Sequence, residues 1–117
     1  MGIYVFSHAS APYFKAGHYS RQNPWSRVAH RGFATCRCPA EIRSRTSCED
    51  VSLVRWYPSL VTRDEKTMHR RFRQQRAAGE WYPSAMLSTI IDYLDGKARC
   101  DMSACDREAA MATRRRL

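Results

Sequence analysis

A chain of 117 residues has room for one domain with a modest core. Hydrophobic residues at 44% and charged residues at 26% fit a globular protein, and no apolar run approaches the roughly 18 residues needed to span a bilayer. Twenty Lys+Arg against eleven Asp+Glu leave a formal charge of +9; six of the basic and three of the acidic residues lie in 97–117, so the body itself is basic and favours a polyanionic partner such as nucleic acid.

The opening run Met1-Gly2-Ile3-Tyr4-Val5-Phe6 has neither a basic leader nor a long apolar stretch. Phe6 also stands where a myristoylation motif wants Ser or Thr. A soluble intracellular protein is therefore expected, in the cytoplasm or a host nucleus, with no membrane and no organic cofactor. Ile3–Phe6 and Pro12–Tyr19 read as the two strands of an antiparallel hairpin. Their alternation puts Tyr13, Lys15 and Gly17 on one face and Phe14, Ala16 and His18 on the other. Asn23-Pro24 reads as an N-cap followed by a first helical position, opening a short helix that Gly32 ends. Trp25, Val28 and Ala29 form its buried stripe, and Arg27 and His30 share a roughly opposite face.

Residues 33–50 read equally well as a loop or as a loop carrying a short helix from Pro39 to Ser44. Cys36, Cys38 and Cys48, with His30, could supply a zinc site, but one C-x-C without a second close pair fits free, partly buried thiols better. Val51–Tyr57 is the third strand, closed by Pro58. Thr62-Arg63-Asp64-Glu65 reads as a capping box opening the main helix, which is expected to run to Ala78 with Gly79 as its stop. Pro83-Ser84 opens a last helix, with Met86, Leu87, Ile90, Ile91 and Leu94 on its apolar face and Asp95-Gly96 at its end. The domain is thus placed at 1–96, followed by a mobile basic tail over 97–117 that ends in Arg114-Arg115-Arg116.

On the main helix, Val61, Met68 and Phe72 define the core-facing stripe; Glu65 falls inside it and His69 on its edge. A carboxylate aimed at the protein body is costly unless paired or bound to a cation. Glu65 is therefore either the capping-box residue reaching its own N-cap or a site carboxylate. Arg70, Arg73 and Arg76 step by three along the same helix, which suits either a solvated face or a surface tracking a phosphate backbone.

Together these elements resemble the GIY-YIG nuclease superfamily, in the divergent branch found in phages and large DNA viruses. Gly2-Ile3-Tyr4 matches GIY, and Lys15-Ala16-Gly17 sits where YIG would be. Arg27 and His30 match R-x-x-H, Glu65 and His69 match E-x-x-x-H, and Gly79-Glu80-Trp81-Tyr82 matches a G-E-W-[FY] element. The resemblance covers about residues 2–95. It implies an α/β (α+β) fold in which a small three-stranded antiparallel sheet is flanked by helices. It also implies a metal-dependent DNA endonuclease of viral or phage-like type. Glu65 would hold a single Mg²⁺ or Mn²⁺. Arg27 would neutralise the phosphate, Tyr4 would position or deprotonate water, and His30 would carry a proton. Lys15 replaces the second tyrosine and would hold phosphate or serve as a base, while Tyr13, His18 and Tyr19 stand nearby as substitutes. The late asparagine of typical members has no counterpart. The alternative is a DNA-binding module of the same fold without hydrolysis.

Overall fold

The computed structural model describes residues 1–29, 33–34, 37–43 and 46–98. The chain runs β1 (Gly2–His8), β2 (Tyr13–Tyr19), α1 (Trp25–Ala29), β3 (Val51–Tyr57), α2 (Thr62–Arg71), β4 (Trp81–Pro83) and α3 (Leu87–Ala98), with single 3-10 turns at Ala40–Ile42, Arg73–Gln75 and Ser84–Met86. This is an α+β fold around one antiparallel sheet of order β3-β1-β2-β4. None of the described helices is long and apolar enough to cross a membrane.

The hairpin forms as its alternation requires. Tyr4 lies opposite Gly17 and Phe6 opposite Lys15 across β1 and β2. One sheet face carries Tyr4, Phe6, Tyr13 and Trp81 against Trp25, Phe33 and Ile42. The other carries Ile3, Val5, Phe14 and Ala16 against Met68, Phe72, Ile90 and Leu94. Both faces are covered, so β1 reads as an unbroken apolar run.

The sheet has four strands where three were expected. The fourth, Trp81-Tyr82-Pro83, pairs with Tyr13-Phe14-Lys15. Three residues are too few for a period-two signal, and Pro83, which lacks an N–H, is tolerated because β4 lies at the sheet edge. The shared Trp-Tyr-Pro-Ser of residues 56–59 and 81–84 has a plain reason: in β3 and β4 alike the Trp joins one core and the Tyr the other.

The helix boundaries also differ from expectation. α2 ends at Arg71, not Ala78, because Phe72 leaves helical geometry while staying buried, and a 3-10 turn follows. Gly79 does not stop a helix; it takes φ 55° in the turn before β4, where an added Cβ would collide with the Arg37 carbonyl. α3 passes through Gly96 to Ala98. At the start of α2 the cap is Val61, and it is exposed, not part of the buried stripe. The Asp64 carboxylate accepts the Val61 N–H at 2.9 Å, so Asp64 takes the reciprocal capping role expected of Glu65. Asn23 caps as expected, its side chain accepting the Trp25 N–H at 3.0 Å. Residues 99–117 of the expected tail, and Gly32 at the expected end of the first helix, lie outside the described residues.

Candidate functional site

Released from capping, Glu65 points across the open end of the sheet. β4 covers β2 only as far as Lys15, and beyond that the strand's edge groups need other partners. The Ala16 N–H donates to the Glu80 carbonyl at 3.1 Å, and the His18 N–H donates to the Glu65 carboxylate. A side-chain carboxylate thus takes the place of a neighbouring strand, which fixes Glu65 against the backbone.

Glu80 enters from the turn before β4. The Tyr4 hydroxyl donates to its Oε1 at 3.3 Å, and the Lys15 ammonium lies 3.9 Å from the same oxygen. Lys15 is buried; it donates to the Phe33 carbonyl at 2.8 Å and sits 4.2 Å from the Phe33 ring centroid. Gly17 makes this meeting possible. Its missing side chain leaves the space where Tyr4, its cross-strand partner, reaches Glu80.

His69, one turn along α2 from Glu65, completes the cluster. Its Nδ1 lies 2.6 Å from the Tyr82 hydroxyl, and its ring lies parallel to the Tyr82 ring with centroids 5.7 Å apart. Its Nε2 is buried, makes no hydrogen bond, and lies 4.0 Å from Glu65 Oε2. One donor atom from each of Glu65, His69 and Glu80 falls within 4.8 Å of the others. In front of them opens a cleft of about 350 Å³, lined by Lys15, Arg27, Arg37, His69, Arg76 and Glu80 with Gly79 in its wall.

The electrostatics follow from this crowding. Burial holds the Glu80 carboxyl up, to about 7, with the Glu65 charge adding to the effect and Lys15 opposing it. Burial brings Lys15 down, to about 8, against the pull of Glu80. Tyr4 is raised well above the usual phenol value, by burial first and then by Glu80 and Glu65, with Arg27 opposing. The charges of Arg27 and Glu65 therefore both reach the Tyr4 hydroxyl. His69 is lowered by burial, so it is a neutral imidazole at neutral pH.

This arrangement makes stability depend on pH. A carboxyl raised in the folded state stabilises fully below its unfolded value and loses that contribution as pH rises to about 7. A lysine lowered in the folded state has the opposite sign: its contribution is complete above its unfolded value and is lost as pH falls through about 8. The pair therefore contributes least between about 7 and 8. Thermal melts of Glu80→Gln against wild type should show the variant gaining at pH 7.5, with the gain shrinking toward pH 5. A difference independent of pH would contradict the assignment.

Of the residues singled out in the sequence, Tyr4, Lys15, Arg27 and Glu65 meet here. His30 lies outside the described residues, as does Cys36. Cys38 is a buried free thiol that donates to the Ala34 carbonyl, and Cys48 is half-buried. The helix expected to carry Arg70, Arg73 and Arg76 stops at Arg71: Arg70 is on the helix, Arg73 in the 3-10 turn, and of the three Arg76 lines the cleft. Of the stand-ins for a second tyrosine, His18 reaches the site through its backbone N–H on Glu65. Tyr13 faces Glu41, Tyr19 bonds Ser26, and His18 meets Thr62. Glu80, matched in the sequence only as part of the G-E-W-[FY] element and given no role there, is the added member of the site. Its signal was that element, an acid directly before the buried Trp81.

No family model matches the chain, and neither a curated protein nor a solved structure matches it.

Proposed function

We propose that the protein is a divalent-cation-dependent DNA endonuclease whose site is the cleft lined from β2, α1, α2 and the turn before β4, as the GIY-YIG resemblance of its motifs implies. The observation that carries this reading is the convergence of Tyr4, Lys15, Arg27 and Glu65, far apart in sequence, on one basic cleft around a half-buried carboxylate pair. Carboxylate oxygens together with an orphaned imidazole nitrogen are a donor set suited to a divalent cation. Glu65 would hold it, and when bound it supplies positive charge to the scissile phosphate and the leaving oxygen.

The chain's own residues have distinct roles. Arg27, half-buried with its guanidinium 5.6 Å from the Phe33 ring centroid, presents a rigid fork to phosphate oxygens. Arg37 and Arg76 extend the basic rim along the strand. Tyr4 keeps its proton at neutral pH and donates it to Glu80, so it fixes that carboxylate and does not deprotonate a water. Lys15 holds phosphate from the cleft floor.

Arg27→Ala separates a site role from a folding role. Its loss should slow cleavage of a labelled duplex by about 10²-fold, while circular-dichroism melts stay close to wild type. A substantially lower melting temperature with unchanged cleavage per folded molecule would overturn the assignment. One observation favours the second reading, a DNA binder without hydrolysis: Lys15 is tied to Phe33 and Glu80, and Tyr4 remains a phenol, so neither is a ready base. That reading gives salt-sensitive retention of DNA without cutting.

A further inference from the structure

We infer that Glu65, His69 and Glu80 together form one mixed nitrogen–oxygen cation site, which takes a first-row transition ion such as Mn²⁺ or Co²⁺ in preference to Mg²⁺. The inference deepens the endonuclease reading but rests on observations of its own. The three donor atoms come from two elements and lie within 4.8 Å of one another. His69 Nε2 is buried among them with no hydrogen-bond partner, a costly state for a polar atom unless something fills the gap. The other ring nitrogen meets the Tyr82 hydroxyl at 2.6 Å. Cation binding requires the tautomer with its proton on Nδ1; the Tyr82 oxygen accepts that proton and leaves the Nε2 lone pair facing the carboxylates. Each carboxylate is also held by a group outside the cluster: Glu65 by the His18 N–H, Glu80 by the Tyr4 hydroxyl and the Lys15 ammonium.

The choice of cation follows from the ligand types. Mg²⁺ prefers oxygen and dehydrates reluctantly, so a neutral imidazole adds little to its binding. Affinity for sites containing nitrogen rises from Mn²⁺ to Co²⁺ and beyond, and imidazole ligation is what separates these ions from Mg²⁺. His69 therefore sets selectivity. Glu80 sets the charge of the site, two negative carboxylates in place of one. Tyr82 is a positioning residue that acts through His69.

The test is calorimetric titration of the full chain with MgCl₂, MnCl₂ and CoCl₂ separately, alongside plasmid nicking in the same buffers. One site per chain is expected, with binding tightening from Mg²⁺ to Mn²⁺ to Co²⁺ and at least about tenfold between the first and the last. His69→Asn should weaken Co²⁺ binding by about 10–100-fold and leave Mg²⁺ within about twofold. Tyr82→Phe, which keeps the ring and removes only the hydroxyl, should narrow the Co²⁺-to-Mg²⁺ ratio in the same direction. It serves as the second variant should His69→Asn fail to fold. A merely structural role for either residue would leave that ratio unchanged. Equal affinities for the three ions in wild type, or a ratio unmoved by the folded variants, would overturn the inference. Nicking that proceeds alongside such equal affinities leaves the endonuclease reading intact. Selective binding without nicking in any cation removes the endonuclease and keeps the site.

Discussion

Replacing Glu65 by glutamine is expected to lower single-turnover cleavage of a labelled duplex by about a thousandfold without lowering the melting temperature. Glutamine has nearly the same shape, and its side-chain carbonyl can still accept the His18 N–H that holds residue 65 against β2. The substitution removes a negative charge and weakens the residue as a cation ligand. Removing that charge also relieves Glu80, whose carboxyl the Glu65 charge helps to hold up. At neutral pH the variant should therefore melt no lower than wild type, a pattern that a purely structural glutamate would not give. Cleavage within tenfold of wild type would remove Glu65 from the machinery. A melting temperature that falls together with activity would mean that residue 65 serves the fold.

Gly17→Ala should be nearly as damaging to activity, for a steric reason. A Cβ at Gly17 would lie 2.6 Å from the Tyr4 hydroxyl and closer still to Glu80 Oε1. Glu80 can swing away, because its side chain keeps about a third of its surface exposed. Tyr4 cannot, because its ring is wholly buried against Phe6 and Phe33. The methyl group therefore separates the pair and forces Tyr4 off its preferred rotamer, at a cost of about 1–3 kcal/mol. A loss of that size lowers the melting temperature of a chain this long by about 4 °C per kcal/mol. Cleavage should fall by about 10²-fold or more, since Tyr4 and Glu80 are displaced together. Gly96→Ala is the matching control. Gly96 lies inside α3 with nothing within 4 Å of an added Cβ, so alanine there should stabilise by about 0.5–1 kcal/mol and leave cleavage unchanged. Equal behaviour of the two variants would show that the tight approach at Gly17 does not matter to the site.

Much of the fold was legible because its signals are local. The hairpin's faces follow from alternation, β3 from a β-rich run closed by Pro58, and the stripe of α3 from helical spacing. β4 was not, since a three-residue edge strand ending in proline carries no periodic signal and exists only through its pairing with Tyr13, Phe14 and Lys15. The start of α2 was misread by one residue for a related reason. Thr62 with Glu65 is the cap pair that the sequence offers, since valine has no side-chain acceptor, and only the point where the chain enters the helix puts Val61 at the cap with Asp64 reaching back to it. That one-residue difference has a functional consequence, because with Asp64 at the cap Glu65 is free to reach β2.

The site divides along the same line. Glu65 and His69 share a helix face four residues apart, so their meeting was visible from spacing alone. Tyr4 and Gly17 were visible as motif positions, though their cross-strand contact was not. Glu80 joins them only because the chain leaves α2 early, turns at Gly79 and returns as an edge strand, a path set by packing and not by any local pattern. The arginines at 70, 73 and 76 were read on one long helix, and with Phe72 buried that helix ends before Arg73.

The central claim is that this cleft cuts DNA with a bound cation. It is tested most directly by incubating supercoiled plasmid with the full chain at low salt, with and without Mn²⁺. Conversion to nicked circles only when the cation is present, and its arrest by EDTA, is the result expected. Plasmid that is retained by the protein yet stays supercoiled at every cation concentration would contradict it.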